Sequence, residues 1–184
     1  MNLYAEPVLT LLPSAFFTLL LGIAATHKLT AWRVFEQQVA DYRVLPKAWT
    51  GIAAVLLPAA EALLALGWLA DGTRAPAAGL TALLLATYAG AMAWNLRQGR
   101  DFIDCGCGGV DGAQVIRPAL VARNLLLATV AAAMALWTSH LPLAARVPGW
   151  IDWLSVFAGA AALLGIYVTV NQILANLPPQ RVLD

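Results

Sequence analysis

Residues 7–26 read PVLTLLPSAFFTLLLGIAAT, twenty consecutive positions without a charged side chain. A helix that crosses the hydrocarbon core of a bilayer needs about 20 mostly apolar residues. Long Leu- and Ala-rich runs lack the alternation of a barrel strand, and helices satisfy their own backbone hydrogen bonds in lipid. Four more such stretches follow, at residues 48–70, 76–96, 124–137 with a polar approach from Pro118, and 153–175. The sequence therefore predicts an all-α, polytopic membrane protein with five spans.

The composition agrees with a chain solvated by lipid. Apolar residues make up 61% of the 184 positions and charged residues 11%, and the net charge of +1 gives no reason to expect nucleic acid as a partner. Two cysteines are too few for a secreted disulfide framework. Most tryptophans, Trp68 among them, fall near the ends of predicted spans, where we expect them at the membrane interface. We expect a single membrane domain over residues 1–184.

Three connections between the spans carry most of the remaining polar residues. Residues 27–47 place apolar side chains at three- and four-residue spacings, which predicts an interfacial amphipathic helix. Residues 71–76, DGTRAP, are expected to form a tight turn because they combine a Gly and a Pro. Residues 97–118 contain five glycines and form the one long polar loop.

That loop holds the clearest chemical signal, because residues 104–109 read DCGCGG. Cys105 and Cys107 are separated only by Gly106, which relieves steric limits on the turn. A disulfide between such close positions is strained, and strained disulfides are more readily reduced. The pair is therefore a candidate for thiol–disulfide exchange.

Other interpretations of the cysteines remain open at this point. Arg100 and two further arginines of the loop favour a thiolate, whereas Asp104 opposes one. Two cysteines can also hold a soft metal ion, and free cysteines are commonly buried and inert. A metal site needs more ligands, and none of the candidates has a recognised spacing: His27, His140, Asp104 and Asp111.

A second signal is Glu61, a carboxylate near the middle of a predicted span. Such a group is costly in lipid and usually faces a protein interior with a partner. Lys28 and His27, at the end of the first stretch, are the expected partners. The group either fixes helix packing as an ion pair or handles a proton or ligand. Three polar residues where spans meet the cysteine loop are candidates for orienting it: Asn95, Arg123 and Asn124.

At these residues the chain resembles the MauE family, the membrane component of methylamine utilisation operons, which is related to DoxX-like four-helix membrane proteins. The resemblance extends to about residue 133. It rests on THKL at 26–29, YRVLP at 42–46, LPAAE at 57–61, NLRQGR at 95–100, the DCGCGG box and Arg123-Asn124. The family's box tends to place an aromatic residue after the second cysteine, where this chain has Gly108.

The resemblance implies a four-helix transmembrane bundle with one additional C-terminal span, in a bacterial inner membrane. It also implies a thiol–disulfide oxidoreductase role: a relay through the Cys-Gly-Cys loop that works with a thioredoxin-fold partner of the MauD type. The relay would assist maturation of a disulfide-rich, quinone-cofactor amine dehydrogenase. The layout also resembles membrane proteins of the DsbB and vitamin K epoxide reductase kind, which makes a quinone the candidate cofactor, although those proteins use more than one cysteine pair.

The alternative function is a membrane scaffold or a transporter of small molecules or metal, in which the cysteines bind metal or are idle. Orientation is a separate question. Lys and Arg concentrate in residues 28–47 and in the cysteine loop, which by the positive-inside rule predicts a cytoplasmic loop. Disulfide formation in bacteria requires the periplasmic side, which the family resemblance favours.

Overall fold

The computed structural model describes residues 6–106, 114–140 and 146–176. These segments form six helices. They are α1 (Val8–Thr30), α2 (Trp32–Asp41), α3 (Lys47–Gly67), α4 (Asp71–Arg97), α5 (Pro118–His140) and α6 (Trp150–Asn176). All except α2 are long and apolar enough to cross a membrane. The predicted all-α polytopic architecture with five spans is confirmed, and the predicted helix between the first two spans is present as α2.

Four of the spans, α1, α3, α4 and α5, share one apolar core. At its centre the rings of Phe17 and Trp68 stack, with centroids 4.8 Å apart and planes 11° from parallel. The Trp68 indole N–H donates a hydrogen bond to the Thr81 hydroxyl at 3.0 Å. Trp68 is 0% exposed, so its predicted place at the membrane interface was wrong. A buried indole needs a partner for its N–H, and Thr81 on the adjacent helix supplies it.

The fifth span, α6, lies outside this core. Only Val156 and Ala160 are buried along its described length, while its large apolar side chains face outward, where lipid solvates them. It packs on α1 at a close approach, because a Cβ on Gly159 would lie 2.6 Å from Cδ1 of Leu12. Small residues permit such contacts between membrane helices. The arrangement matches a four-helix bundle with one additional C-terminal span.

Two helix limits differ from the sequence prediction. The first span continues to Thr30, so His27 belongs to α1 and not to the connecting segment. The predicted turn at residues 71–76 was wrong, because α4 already begins at Asp71. Asp71 lies in the first turn, where a carboxylate interacts favourably with unpaired backbone N–H groups. Pro76 lies inside α4, where its ring removes one backbone N–H donor.

Helix direction places the connecting segments at two opposite ends of the bundle. We call the end that holds residues 98–117 the loop end. Here the Tyr42 hydroxyl, just after α2, donates to the carbonyl of Cys105 at 3.1 Å, and the Gln114 side chain donates to the carbonyl of Asn171 in α6 at 3.2 Å. At the opposite end, the far end, Arg146 contacts Glu6.

Candidate functional site

Cys105 is held in the loop by a short piece of antiparallel pairing. Asp104 and Val115 form an isolated antiparallel bridge, and the Cys105 N–H donates to the carbonyl of Gln114 at 2.7 Å. The Asp104 carboxylate accepts the Gly106 N–H at 3.1 Å. The backbone on both sides of Cys105 is thus fixed by hydrogen bonds, although residues 98–106 and 114–117 form no regular helix or strand.

Gly106, between the two cysteines, has a backbone conformation that favours glycine. Its φ is +66°, and a Cβ here would lie 3.3 Å from Oε1 of Gln38 on α2. Left-handed φ is costly for residues with a Cβ. Cys107 lies outside the described residues. Two residues of chain span at most about 7 Å, so its Cα is within that distance of the Cα of Cys105.

The side chain of Cys105 points into the protein. Its residue is 6% exposed and belongs to a buried apolar cluster that includes Met92 and Leu120. Its Sγ lies 3.9 Å from Oε1 of Gln114, a long contact that a thiol can still make as a weak donor. Together with the Tyr42 hydrogen bond to the Cys105 carbonyl, these contacts shield the sulfur from the aqueous phase.

Beside Cys105 lies a cavity of about 220 Å³ between α1, α2, α3, α4 and the loop. Its apolar walls come from three helices: Phe35 and Val39 on α2, Ala53 and Leu57 on α3, and Ala91 and Met92 on α4. Its polar lining consists of Lys28, Gln38, Tyr42, Thr87 and Tyr88. Cys105 and Gly106 close it at the loop end. The fold therefore places a thiol, several hydrogen-bonding groups and an apolar space together.

A buried charged network lies next to this cavity. Glu61 is 1% exposed and Lys28 is 5% exposed. The Lys28 ammonium donates to Glu61 Oε1 and forms an ion pair with it. The Tyr88 hydroxyl donates to the same oxygen at 2.8 Å. Three separate helices meet at one carboxylate oxygen.

The ammonium of Lys28 is also surrounded by aromatic rings. Its Nζ lies 5.4 Å from the ring centroid of Phe35 and 5.1 Å from that of Tyr88, distances at which a ring face attracts a cation. The second oxygen of Glu61 has no hydrogen-bond partner among the described residues. Lys28 lines the cavity and Glu61 does not. The carboxylate therefore contacts Lys28 and Tyr88 without facing the cavity.

The remaining predicted site residues fall into different surroundings. His27 is exposed, although it precedes Lys28 directly. The structure therefore pairs Glu61 with Lys28 and leaves His27 outside the network. Arg100 is half-buried, and its backbone N–H donates to the carbonyl of Asn95 at 3.0 Å. Asn95 and Asn124 are both buried, Asn95 with its amide donating to Ala91 within α4. The side chain of His140 lies outside the described residues.

Arg123 connects α5 with the end of α6. Its guanidinium donates to the side-chain oxygen of Asn171 and lies 5.1 Å from the ring centroid of Tyr167. Because Asn171 also accepts a hydrogen bond from Gln114 through its backbone carbonyl, the same part of α6 contacts both the loop and α5. Arg123 thus joins α5 to α6 at the loop end and does not line the cavity.

Comparison with known proteins identifies the family. A family model described as "Methylamine utilisation protein MauE" matches residues 6–138. The chain belongs to the MauE family. The MauE of Paracoccus denitrificans is 36% identical to this chain over 156 residues, 85% of this chain and 82% of that protein. The MauE of Methylorubrum extorquens is 38% identical over 177 residues, 96% of this chain and 92% of that protein. No solved structure matches the chain.

In this MauE-family chain, sequence reasoning missed several residues that the fold brings to the site. Tyr88 offered a signal, because a Tyr in the middle of a span lies away from the interface where the residue is usually found. Gln38 and Tyr42 lie four residues apart and so share a face of the α2 segment. Nothing in the sequence pointed to Gln114 or Asn171, since their contact joins positions 57 residues apart.

Within residues 6–106, 114–140 and 146–176, no group of three or more His, Cys, Asp or Glu side chains is placed to hold a metal ion. Cys107, Asp111 and the side chain of His140, which belong to the metal interpretation, lie outside the described residues.

Proposed function

We propose that this chain works in methylamine utilisation as a membrane thiol–disulfide relay. Cys105 and Cys107 exchange electrons with a thioredoxin-fold partner of the MauD type, and this exchange assists maturation of a disulfide-rich, quinone-cofactor amine dehydrogenase. Family membership, with relatives named as methylamine utilisation proteins, supports the setting. The observation that carries the chemistry is Cys105, a buried thiol fixed beside a cavity with apolar walls and two residues from a second cysteine.

The exchange is balanced without a further reagent. In its oxidised form the chain carries a disulfide between Cys105 and Cys107, and the partner carries two thiols. A partner thiolate attacks one sulfur of the chain, which gives a mixed disulfide and releases the other sulfur as a thiolate. The partner's second thiolate then displaces the chain, so one S–S bond is lost, one is formed, and the chain keeps two thiols.

The burial of Cys105 assigns different roles to the two sulfurs. An attacking thiolate needs access to the sulfur that it bonds. A folded protein cannot approach Cys105 while α2 and Tyr42 cover it. The mixed disulfide therefore forms at Cys107, and Cys105 is the sulfur that leaves and later re-forms the internal bond. This division of roles gives the two cysteine variants different expected behaviour.

The test is disulfide trapping with a partner variant that keeps its attacking cysteine and lacks its second one, so that no partner thiolate can resolve the mixed disulfide. The sulfur of this variant is activated as a mixed disulfide with thionitrobenzoate, and a thiolate of the reduced chain displaces thionitrobenzoate from it. In the natural chain Cys105 then displaces the partner and forms the internal bond. Cys105→Ser removes the leaving sulfur and should accumulate a mixed disulfide through Cys107, visible as a shift on a non-reducing gel. Cys107→Ser should accumulate much less. Phe102→Ala is the control, because Phe102 lies in the same loop with 74% exposure and should trap nothing. If neither cysteine variant traps a partner and dehydrogenase maturation survives loss of both sulfurs, the relay is wrong and the scaffold or transporter role gains.

The relay also requires the loop end to face the periplasm, with the chain in the inner membrane of the bacterium. A membrane-impermeant maleimide applied to whole cells should label Cys107 in the Cys105→Ser variant. The matched control is Val147→Cys in a chain without Cys105 and Cys107, since Val147 is 88% exposed at the far end. It should be labelled only after the cells are opened. The reverse pattern would place the loop in the cytoplasm, where disulfides are not maintained.

A further inference from the structure

The cavity beside Cys105 combines apolar walls with a hydrogen-bonding end. Lys28 and Tyr88 lie at its deep side, and Cys105 and Gly106 close its loop-end side. Tyr88 precedes the end of α4 by nine residues, which corresponds to about 14 Å along the helix. The lining residues of α3 and α4 belong to membrane spans. An occupant of this space must be mostly apolar, with an acceptor atom for the buried ammonium.

The proposed relay still needs an acceptor for the two electrons that the chain takes from its partner. After each exchange with the partner the chain holds two thiols, and it cannot act again until something removes two electrons and two protons from them. A water-soluble oxidant does not fit a cavity with apolar walls at this depth, because its polar groups would lose their hydration. The acceptor must therefore be an apolar molecule that carries two electrons and two protons.

We infer that this cavity binds the head group of a lipid-soluble quinone, and that the quinone oxidises the Cys105–Cys107 pair. This inference rests on the proposed function. A quinone ring is apolar on its faces and carries two carbonyl oxygens as acceptors. The volume is sufficient: a buried cavity of about 150 Å³ accommodates a benzene ring, and this one measures about 220 Å³.

The reaction at the cavity conserves atoms and electrons. Cys105 and Cys107 each lose one proton and one electron, an S–S bond forms between them, and two S–H bonds break. The quinone gains two electrons and two protons and leaves as the quinol. Cys105 is the sulfur next to the ring, since it is the cysteine that lines the cavity among the described residues.

Lys28 is the residue that binds the quinone oxygen. An ammonium has three N–H donors, of which one is directed at Glu61. A fixed positive charge stabilises the negative charge that develops on a quinone oxygen as electrons arrive. Glu61 is a positioning residue, since it touches Lys28 and Tyr88 but does not line the cavity. Its carboxylate is the counter-charge of the ammonium in an apolar setting.

Binding can be tested without any redox chemistry. The probe is an azido-substituted benzoquinone with a decyl side chain, used for photolabelling of the purified full chain in lipid nanodiscs. In the Cys105→Ser/Cys107→Ser variant, which cannot transfer electrons, label should appear on residues 35–42 or 87–92, and unlabelled decylubiquinone should compete with it. Label spread over lipid-facing residues alone, without competition, would overturn the quinone site.

Two cavity-filling variants are used, so that the test does not depend on whether one of them folds. Ala91→Phe and Ala53→Phe enter the cavity from facing helices, and each should weaken labelling at least about tenfold, which corresponds to about 1.4 kcal/mol. Ala86→Phe is the control, because Ala86 is an exposed residue of α4 that does not line the cavity. Equal labelling in all three would overturn the proposal.

Electron transfer is measured separately, with the chain reduced and freed of reductant. Addition of decylubiquinone should convert one quinone to quinol per chain, followed by its ultraviolet absorbance, and should remove two titratable thiols. Ala91→Phe should slow this reaction about tenfold, and Ala86→Phe should leave its rate unchanged. Labelling in the cavity without quinol formation would overturn the quinone as acceptor. Failure of the relay itself is distinct, because it appears as the absence of any trapped partner.

Discussion

Lys28 and Glu61 form an ion pair buried inside the bundle, whereas Arg146 pairs with Glu6 and Asp152 on the exposed surface of the far end. The buried pair adjoins a cavity. The apolar core instead contains the stacked rings of Phe17 and Trp68. Burial of charge costs free energy that apolar packing does not. The comparison teaches that the bundle keeps its stability and its chemistry in separate regions, and each of the following changes tests that separation.

The largest effect is expected when one partner of the buried pair is removed. Glu61→Leu leaves the Lys28 ammonium buried without a counter-charge and should lower the free energy of unfolding by about 3 to 5 kcal/mol. The double variant Lys28→Met/Glu61→Leu should recover most of this loss, because an apolar pair needs no counter-charge. Denaturant unfolding in detergent micelles provides the measurement. If the double variant is as unstable as the single one, the pair is not the cause.

A loss of similar size is expected in the apolar core. Trp68→Ala removes the ring that stacks on Phe17 and leaves the Thr81 hydroxyl without its donor. A large-to-small change of this kind costs about 3 to 5 kcal/mol. In the Cys105→Ser background the folded variant should still trap the partner through Cys107. A trapping yield that falls in the folded protein would show that the two regions are coupled.

The two glycines with positive φ separate backbone strain from site geometry. Gly99→Ala and Gly106→Ala should each destabilise the chain by about 1 kcal/mol, since both adopt left-handed backbone. Only at Gly106 would the new Cβ press on Gln38 of α2. Mixed-disulfide formation, followed over time, should therefore slow in Gly106→Ala and stay unchanged in Gly99→Ala. Equal rates would mean that the contact with α2 does not position the cysteines.

The smallest effect is expected from the exposed ion pairs. Hydrogen bonds to Asp152 and Glu6 raise the pKa of Arg146 above its ordinary value, so it stays charged at every pH in ordinary assays. The contribution of its ion pairs to the free energy of unfolding would fall only as the pH rises through that raised pKa. Exposed pairs contribute little because water and salt screen them. Arg146→Gln should leave the denaturation midpoint within the scatter of replicates, and a loss as large as that of Glu61→Leu would remove the contrast between the regions.

The sequence predicted the five spans because each is a local property of about twenty consecutive residues. It also suggested Lys28 as the partner of Glu61, since a carboxylate in a span demands one. The depth of Lys28 was not apparent, because a lysine beside a span end ordinarily extends to the interface. Tyr88 joined the network only through packing of α4 against α3, which no local pattern encodes.

Sequence patterns did not predict the cavity, for a related reason. Periodicity identifies the apolar face of α2 but not the surface that this face covers. In the structure, Phe35 and Val39 face the cavity, whereas the spacing of apolar residues alone predicts an interfacial helix. Trp68 shows the opposite error, because its position near a span end suggested an interface although long-range packing buries it.

The single oxygen of Glu61 that accepts hydrogen bonds from both Lys28 and Tyr88 limits how this family can diverge. Loss of Glu61 removes the acceptor of both bonds and leaves the Lys28 ammonium buried without its counter-charge. We therefore expect that a lineage which exchanges the residue at 61 also exchanges the residue at 28 or gains another carboxylate nearby.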